Sequence, residues 1–303
     1  MLAPRQMANT ASMVQGASLD NTGMTVPATP APADASGAPS TRRALPGQSA
    51  AEVAGLLQRA APVATLGVVM LDTCFPRPRG DIGSALTFTL PVNQRVVRSV
   101  WPAKVVQSAA GLRAGRVVPA FVSVVRALER EGARAITTSC GFLVLLQKEL
   151  QAAVKVPVIT SSLMLLPRLL KVQAGVGVLT ISARSLGPDY LRAAGVPRER
   201  LGDVVVQGVD PACEFAKRIL GNQPEMDLDK ARDDVVAAAL ALKARDPTLT
   251  DVVLECTNMP PYRAAVEAAT GLKTWCLLDD ERLFKPFGLT PSQAVAVTEV
   301  APR

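Results

Sequence analysis

The chain of 303 residues contains no histidine. Histidine is the commonest general base in enzymes and a frequent metal ligand. Its absence excludes Ser-His and Cys-His nucleophile pairs and every histidine-ligated metal site. We therefore expect no metal centre, and proton transfer must depend on Cys, Asp, Glu, Lys or Tyr side chains.

Aromatic residues and long apolar runs are also scarce. Only 4% of the residues are aromatic, so the net charge of +7, most of it in residues 64–150, predicts an anionic small molecule and no nucleic acid as partner. The uncharged apolar runs are shorter than the roughly 18 residues of a membrane helix, and the N-terminus lacks a signal-peptide core. Five scattered cysteines without a CxxC pair fit a reducing compartment, so we expect a cytoplasmic protein without membrane contact.

Proline and small residues dominate residues 1–48, and this composition predicts a disordered extension followed by a short helix over 50–60. From residue 64, short apolar runs alternate with helical periodicity, which is typical of parallel sheets with crossover helices. We predict an α/β fold of two pseudo-symmetric lobes, each with a four-stranded, mainly parallel sheet. The first lobe is expected at 64–160 plus 272–303 and the second at 161–271. The eight predicted strands cover residues 64–71, 95–101, 135–139, 156–161, 175–181, 203–208, 251–255 and 272–277.

Two segments have the same pattern of a strand, a cysteine and a helix. Cys140 ends one predicted strand and Cys256 ends another, 116 residues later. Ligands of open α/β sheets bind at the carboxyl ends of the strands, and a helix N-terminus favours thiolate over thiol. These two cysteines are therefore candidates for catalysis, with a thiol pKa expected below its ordinary value. The other three, Cys74, Cys213 and Cys276, are better explained as small core residues.

Around these cysteines the sequence resembles the aspartate/glutamate/hydantoin racemase superfamily. The resemblance covers about residues 64–285 and depends on Thr-Ser-Cys140-Gly, on Glu-Cys256-Thr-Asn-Met-Pro, on residues 177–182 and on the first strand, 66–72. It implies catalysis without a cofactor, and in particular without pyridoxal phosphate. Cys140 and Cys256 would act as the catalytic pair on opposite faces of a substrate carbon.

The same resemblance implies substrate-binding roles for residues next to the motifs, namely Gly141, Thr180, Ser182, Thr257 and Asn258. Helix capping is an equal alternative for Thr180 and Ser182. Asp81, in the loop after the first strand, either contacts a charged substrate or caps its own turn. The chain departs from glutamate racemases at Phe142 and Asn258, which makes glutamate a doubtful substrate.

The resulting hypothesis is an isomerase, a racemase or epimerase of an acidic amino acid or related carboxylate that uses two-cysteine proton transfer. The alternatives are a maleate-type cis-trans isomerase, a hydantoin racemase, and a catalytically degenerate carboxylate-binding protein. A small carboxylate is the expected ligand in each case, and a homodimer is a candidate assembly.

Overall fold

The computed structural model describes residues 63–296. The predicted extension over residues 1–48 and the predicted helix over 50–60 lie outside this range. The strands within it are β1 Thr65–Leu71, β2 Val92–Val97, β3 Ala133–Thr138, β4 Val158–Ile159, β5 Val176–Thr180, β6 Val204–Gly208, β7 Asp251–Leu254 and β8 Lys273–Trp275.

The strands form two four-stranded sheets with the same internal arrangement. The first sheet has the order β2-β1-β3-β4 and the second has the order β6-β5-β7-β8, and every pair of neighbouring strands is parallel. The central strands β1, β3, β5 and β7 consist largely of buried residues, because helices or the other lobe cover both faces of each sheet. The predicted α/β fold of two four-stranded parallel sheets is confirmed.

Helices connect the strands and supply the outer layers. In α3, for example, Phe121, Val125 and Leu128 recur at helical spacing on the buried face. No helix in residues 63–296 has both the length and the hydropathy needed to cross a bilayer. The α-helices of this range are α1 Pro102–Val105, α2 Ala109–Ala114, α3 Val118–Arg130, α4 Gln147–Ala152, α5 Leu166–Leu169, α6 Pro188–Ala193, α7 Glu214–Leu220, α8 Leu228–Arg245, α9 Arg263–Thr270, α10 Glu281–Phe284 and α11 Pro291–Ala294.

The structure corrects the assignment of one part of residues 272–303, strand β8, to the first lobe. Strand β8 pairs with β7, with Val252 opposite Thr274, so this segment completes the second sheet. The connection from α9 to β8 is only two residues long, and it places β8 beside β7 at the edge of the second sheet. Helix α10 then packs against β3 and β4 of the first sheet. The chain therefore crosses back to the first lobe after β8 and not before it.

Candidate active site

Cys140 lies at the carboxyl end of β3 in the first sheet. After Thr138 the chain leaves the sheet, and a 3-10 helix, Gly141–Leu146, begins directly after the cysteine. The hydroxyl of Thr138 donates to the carbonyl oxygens of Cys140 and Thr160, at 3.0 and 2.8 Å, and so fixes the backbone beneath the thiol. Helix α4 follows this 3-10 helix directly.

Cys256 occupies the equivalent position after β7 in the second sheet. The backbone N–H of Glu255 donates to the carbonyl of Leu179 at 2.8 Å, which extends the hydrogen-bonded ladder one residue past the strand. A turn closes on Cys256, whose carbonyl accepts from the N–H of Met259 at 3.0 Å. Both cysteines are thus held on short, fully hydrogen-bonded turns at corresponding strand ends.

A single small cavity is lined by both cysteines. The space between its lining atoms, including its opening to solvent, is about 330 Å³. Most of its wall is apolar, and its charged or titratable lining groups are the two thiols, one guanidinium and one carboxyl group. The lining residues are Leu71, Phe75, Arg77, Pro102, Val106, Ser139, Cys140, Gly141, Phe142, Ile181, Ile219, Glu255, Cys256, Thr257 and Asn258.

Glu255 is the lining carboxyl group, and it is fully buried. Its Oε2 accepts a hydrogen bond from the hydroxyl of Thr180 at 2.8 Å, whereas its Oε1 has no partner among the described residues. Burial raises the pKa of Glu255 to about 8, although the bond from Thr180 opposes the shift. The carboxyl group is therefore mostly protonated near neutral pH in the empty cavity.

Arg77 is the lining cation, and it begins a chain of buried polar contacts. It forms an ion pair with Asp81 at 2.7 Å, and its guanidinium also lies over the ring of Phe75. The second oxygen of Asp81 accepts from Nδ2 of Asn258 at 2.6 Å. This bond orients the amide so that its Oδ1 accepts from the thiol of Cys256 at 3.5 Å.

Both thiols have a raised pKa, so the expectation of a lowered pKa is wrong. Burial, followed by the charge of Glu255, raises the pKa of Cys140 to about 12, while the Phe142 backbone and Arg77 lower it. The same two causes raise the pKa of Cys256 well above its ordinary value. Desolvation dominates because the helical turn after Cys140 is short and the basic groups of this lobe, Arg77 apart, lie away from the thiols.

The structure brings together five of the eight predicted site residues, since Cys140, Gly141, Cys256, Thr257 and Asn258 line the cavity. The hydroxyl of Thr257 donates to the carbonyl of Ser139 at 2.7 Å and links the two cysteine turns.

The remaining three predicted residues, Thr180, Ser182 and Asp81, lie behind the lining. Thr180 supports Glu255, Ser182 accepts from the N–H of Ser185 within a turn, and Asp81 accepts from the N–H of Gly83 while binding Arg77. Asp81 therefore caps its own turn, as the alternative for it stated, whereas Ser182 caps a turn and not a helix.

Sequence reasoning missed Glu255 as a site residue. The available signal was a charged residue directly after the uncharged run Val252-Val253-Leu254 and directly before a candidate catalytic cysteine. A carboxyl group in that position is buried with the strand end and faces the same cavity as the thiol.

Comparison with known proteins identifies the family. A dimethylsulfoniopropionate lyase from Durusdinium sp. clade D is 32% identical over 219 residues, covering 70% of this chain and 71% of that enzyme. The chain belongs to the dimethylsulfoniopropionate lyase family. Lyases 7 and 6 of Emiliania huxleyi (strain CCMP1516) are 28% and 29% identical, and the matches span 62% and 55% of their lengths. No protein-family model matches the chain.

The similar solved structures include racemases of low sequence identity. Glutamate racemase from Francisella tularensis has 15% identity and a TM-score of 0.44, covering 74% of this chain and 79% of that one. Allantoin racemase from Pseudomonas fluorescens has 14% identity and a TM-score of 0.44, covering 78% of this chain and all of that one. Arylmalonate decarboxylase and an aspartate racemase homologue are also among these structures.

The family overturns the predicted function. The relatives at 28 to 32% identity are lyases, so the hypothesis of a racemase or epimerase is wrong, and none of the alternatives considered with it is a lyase. The chain does belong to a family of enzymes, as expected. The error arose because a fold and its motifs do not by themselves determine the reaction.

Proposed function

We propose that this chain is a lyase that cleaves dimethylsulfoniopropionate or a closely related sulfonium carboxylate. The observation that carries the proposal is the cavity between the two cysteine turns, which combines a guanidinium and a carboxyl group with apolar walls. The substrate has a carboxylate at one end and a positively charged, methylated sulfur at the other. Family membership supports the same substrate class.

The proposed reaction is a β-elimination. A base removes a proton from C2, next to the carboxylate, and the C–H electron pair becomes the double bond between C2 and C3. The C3–S bond breaks and its electron pair remains on sulfur, so the products are acrylate and neutral dimethyl sulfide. The proton stays on the base and passes to water before the next turnover. The leaving group needs no protonation, and a single base is sufficient.

Cys140 is the proposed base. Arg77 and the Phe142 backbone both favour the Cys140 thiolate, whereas the charge of Asp81 disfavours the Cys256 thiolate. The bound sulfonium adds a positive charge to the cavity, which stabilises this thiolate further. A thiolate in a mostly apolar cavity is poorly solvated and therefore strongly basic towards a neighbouring C–H group.

Cys256 is proposed to remain a thiol. Its hydrogen is directed at Oδ1 of Asn258, and the bond from Asn258 to Asp81 fixes the orientation of that amide. An acceptor held in this position favours the protonated form. Cys256 would then shape the cavity and contact the substrate without taking its proton.

Arg77 and the apolar lining are proposed to orient the substrate. The guanidinium of Arg77 is the positively charged group of the lining and suits the substrate carboxylate. Val106, Phe142 and Ile181 provide an apolar surface for the two methyl groups of the sulfonium. Both ends of the substrate are then held, which places C2 next to the thiol turns.

The test is direct. The purified full-length chain is incubated with dimethylsulfoniopropionate under reducing conditions, dimethyl sulfide is measured in the headspace by gas chromatography, and acrylate is measured in solution by proton NMR. We expect both products in equal amounts from the wild type and neither from the Cys140→Ser variant. Absence of both products from folded wild-type protein would refute the proposal.

A further inference from the structure

We infer that the carboxylate of Glu255 is the subsite for the positively charged end of the substrate, and that this residue selects cationic over neutral carboxylates. The inference rests on the proposed function and deepens it by assigning the group that recognises the sulfonium. A sulfonium or quaternary ammonium group cannot donate a hydrogen bond, so a negative charge without a competing partner is well suited to bind it.

Glu255 has the geometry that such a subsite needs. It is fully buried, it lines the cavity, and its Oε1 has no hydrogen-bond partner among the described residues. A buried polar atom without a partner is costly, and the cost is recovered when a ligand supplies the missing interaction. The bond from Thr180 to Oε2 fixes the carboxyl group while leaving Oε1 available.

Gly141 provides an independent indication that this position is built for the carboxyl group. A Cβ atom at residue 141 would collide with Oε1 and with the backbone carbonyl oxygen of Glu255. The backbone φ of Gly141 is not in the left-handed region, so conformational freedom does not explain the glycine. The missing side chain leaves room for both the backbone carbonyl oxygen and the carboxyl group of Glu255 between the two cysteine turns.

No cation of the described chain neutralises Glu255. The guanidinium that lines the same cavity, Arg77, is paired with Asp81, and the titratable groups coupled to Glu255 are Cys140, Cys256 and Tyr190, which are neutral when protonated. A positive charge next to Glu255 must therefore come from the ligand. Because burial raises the pKa of Glu255 to about 8, binding of a cation near neutral pH should release a proton.

Glu255 should act on substrate affinity more than on the chemical step. The sulfonium loses its positive charge as the C3–S bond breaks, so a carboxylate beside it stabilises the bound substrate more than the transition state. A loss of Glu255 is therefore expected to raise KM while kcat stays within a few-fold. Loss of a residue that carries the catalytic proton would instead lower kcat and leave KM nearly unchanged.

The experiment compares two carboxylates of the same shape, one with a positively charged end and one with an uncharged end. Binding of 3-(trimethylammonio)propionate and 4,4-dimethylpentanoate, which share shape and carboxylate, is measured by calorimetry on the full-length chain. We expect the wild type to bind the cation at least about 10-fold more tightly, and Glu255→Gln to bring the two affinities within about 3-fold of each other. An unchanged preference in this variant would overturn the inference.

Proton release provides the second readout. In buffers of different ionisation enthalpy, the wild type should release close to one proton on binding the cation below about pH 8, and Glu255→Gln should release none. Glu131→Gln is the matched control, because Glu131 is paired with Arg95 on an exposed surface, and it should behave as the wild type. If Glu255→Gln fails to fold, Thr180→Val should weaken the preference, since it removes the bond that favours the ionised carboxyl group.

These measurements separate the subsite from the proposed reaction. A wild type that forms no acrylate but prefers the cation through Glu255 would refute the lyase proposal and keep the subsite. A wild type that forms acrylate but shows the same cation preference with Gln at residue 255 would keep the lyase and refute the subsite.

Discussion

Asn258 donates a hydrogen bond from Nδ2 to Oδ2 of Asp81 over 2.6 Å, although 177 residues separate the two in sequence. Asp81 belongs to the loop after β1 of the first sheet, and Asn258 follows β7 of the second. The bond therefore connects the two lobes at the cavity. It also sets the direction in which the Asn258 amide faces the thiol of Cys256.

Replacing Asp81 by Asn should destabilise the protein. The variant leaves the guanidinium of Arg77 without its buried counter-charge and forces one amide to face another at Asn258. Breaking a buried pair in this way typically costs about 3 kcal/mol or more, and urea denaturation will measure it. Asp189→Asn, which breaks the exposed pair with Arg192, should cost less than about 1 kcal/mol. Equal effects of the two variants would show that the Asp81 network has no structural role.

The two cysteines should be unequal in function. Cys140→Ser removes the proposed base and should lower kcat/KM for elimination by about 100-fold to 10,000-fold. Cys256→Ser keeps a hydroxyl donor for Asn258 and should lower it by about 10-fold or less. Steady-state release of dimethyl sulfide measures both. A total loss in both variants, with folding intact, would instead indicate that both thiols take part in proton transfer.

The pH dependence of kcat/KM should show two ionisations of the free enzyme. Elimination needs Cys140 as thiolate and Glu255 as carboxylate, whose pKa values are raised to about 12 and about 8. On a logarithmic plot the rate should therefore rise with a slope of about two below pH 8 and about one above it. Glu255→Gln should show a slope of about one throughout. A plateau of the wild type near neutral pH would contradict the raised thiol pKa.

Protein stability should also depend on Glu255. Its pKa is about 8 in the folded chain and has its lower, ordinary value in the unfolded chain, so the folded state binds the additional proton between these values. The free energy of unfolding should then fall as pH rises through this window, by at most about 1.4 kcal/mol per pH unit from this group. Glu255→Gln should remove that part of the slope. Chemical denaturation of both proteins at a series of pH values gives the difference.

Gly141→Ala should disturb the Glu255 carboxyl group without changing its chemistry. The added methyl group collides with Oε1 and the carbonyl oxygen of Glu255, so we expect KM for dimethylsulfoniopropionate to rise by about 10-fold. Gly187→Ala is the control, since a Cβ atom at residue 187 meets nothing within 4 Å. Kinetics of the two variants, with thermal unfolding to monitor folding, will show whether the effect is specific. Similar KM values in both would refute the steric role of Gly141.

The sequence predicts the fold and the cysteine pair well because both depend on local patterns. The apolar runs of β1, β3, β5 and β7 mark strands covered on both faces, and Cys140 and Cys256 follow such runs directly. The position of β8 was not predictable in this way, because the choice between two sheet edges depends on the chain path after α9. The thiol pKa was also missed, since it depends on how much water the folded cavity excludes.

The predicted substrate-binding residues illustrate the same limit. Thr257 and Asn258 are adjacent to Cys256 and necessarily lie near it, so proximity in sequence was sufficient. Thr180 ends β5 and Ser182 follows it, but their side chains support Glu255 and a turn, respectively. Side-chain packing between the lobes decides which polar residue at a strand end lines the cavity and which lies behind it.

The contact between Gly141 and Glu255 has a consequence for how this sequence can diverge. Any side chain at residue 141 needs the space that the carboxyl group of residue 255 occupies, so the two positions cannot enlarge independently. Among descendants that keep these two turns, glutamate at 255 should be inherited together with glycine at 141. A lineage that exchanges the glutamate for a small residue changes the charge of the cavity, but it can acquire a side chain at 141 only if the turn also moves the backbone carbonyl oxygen of residue 255 away.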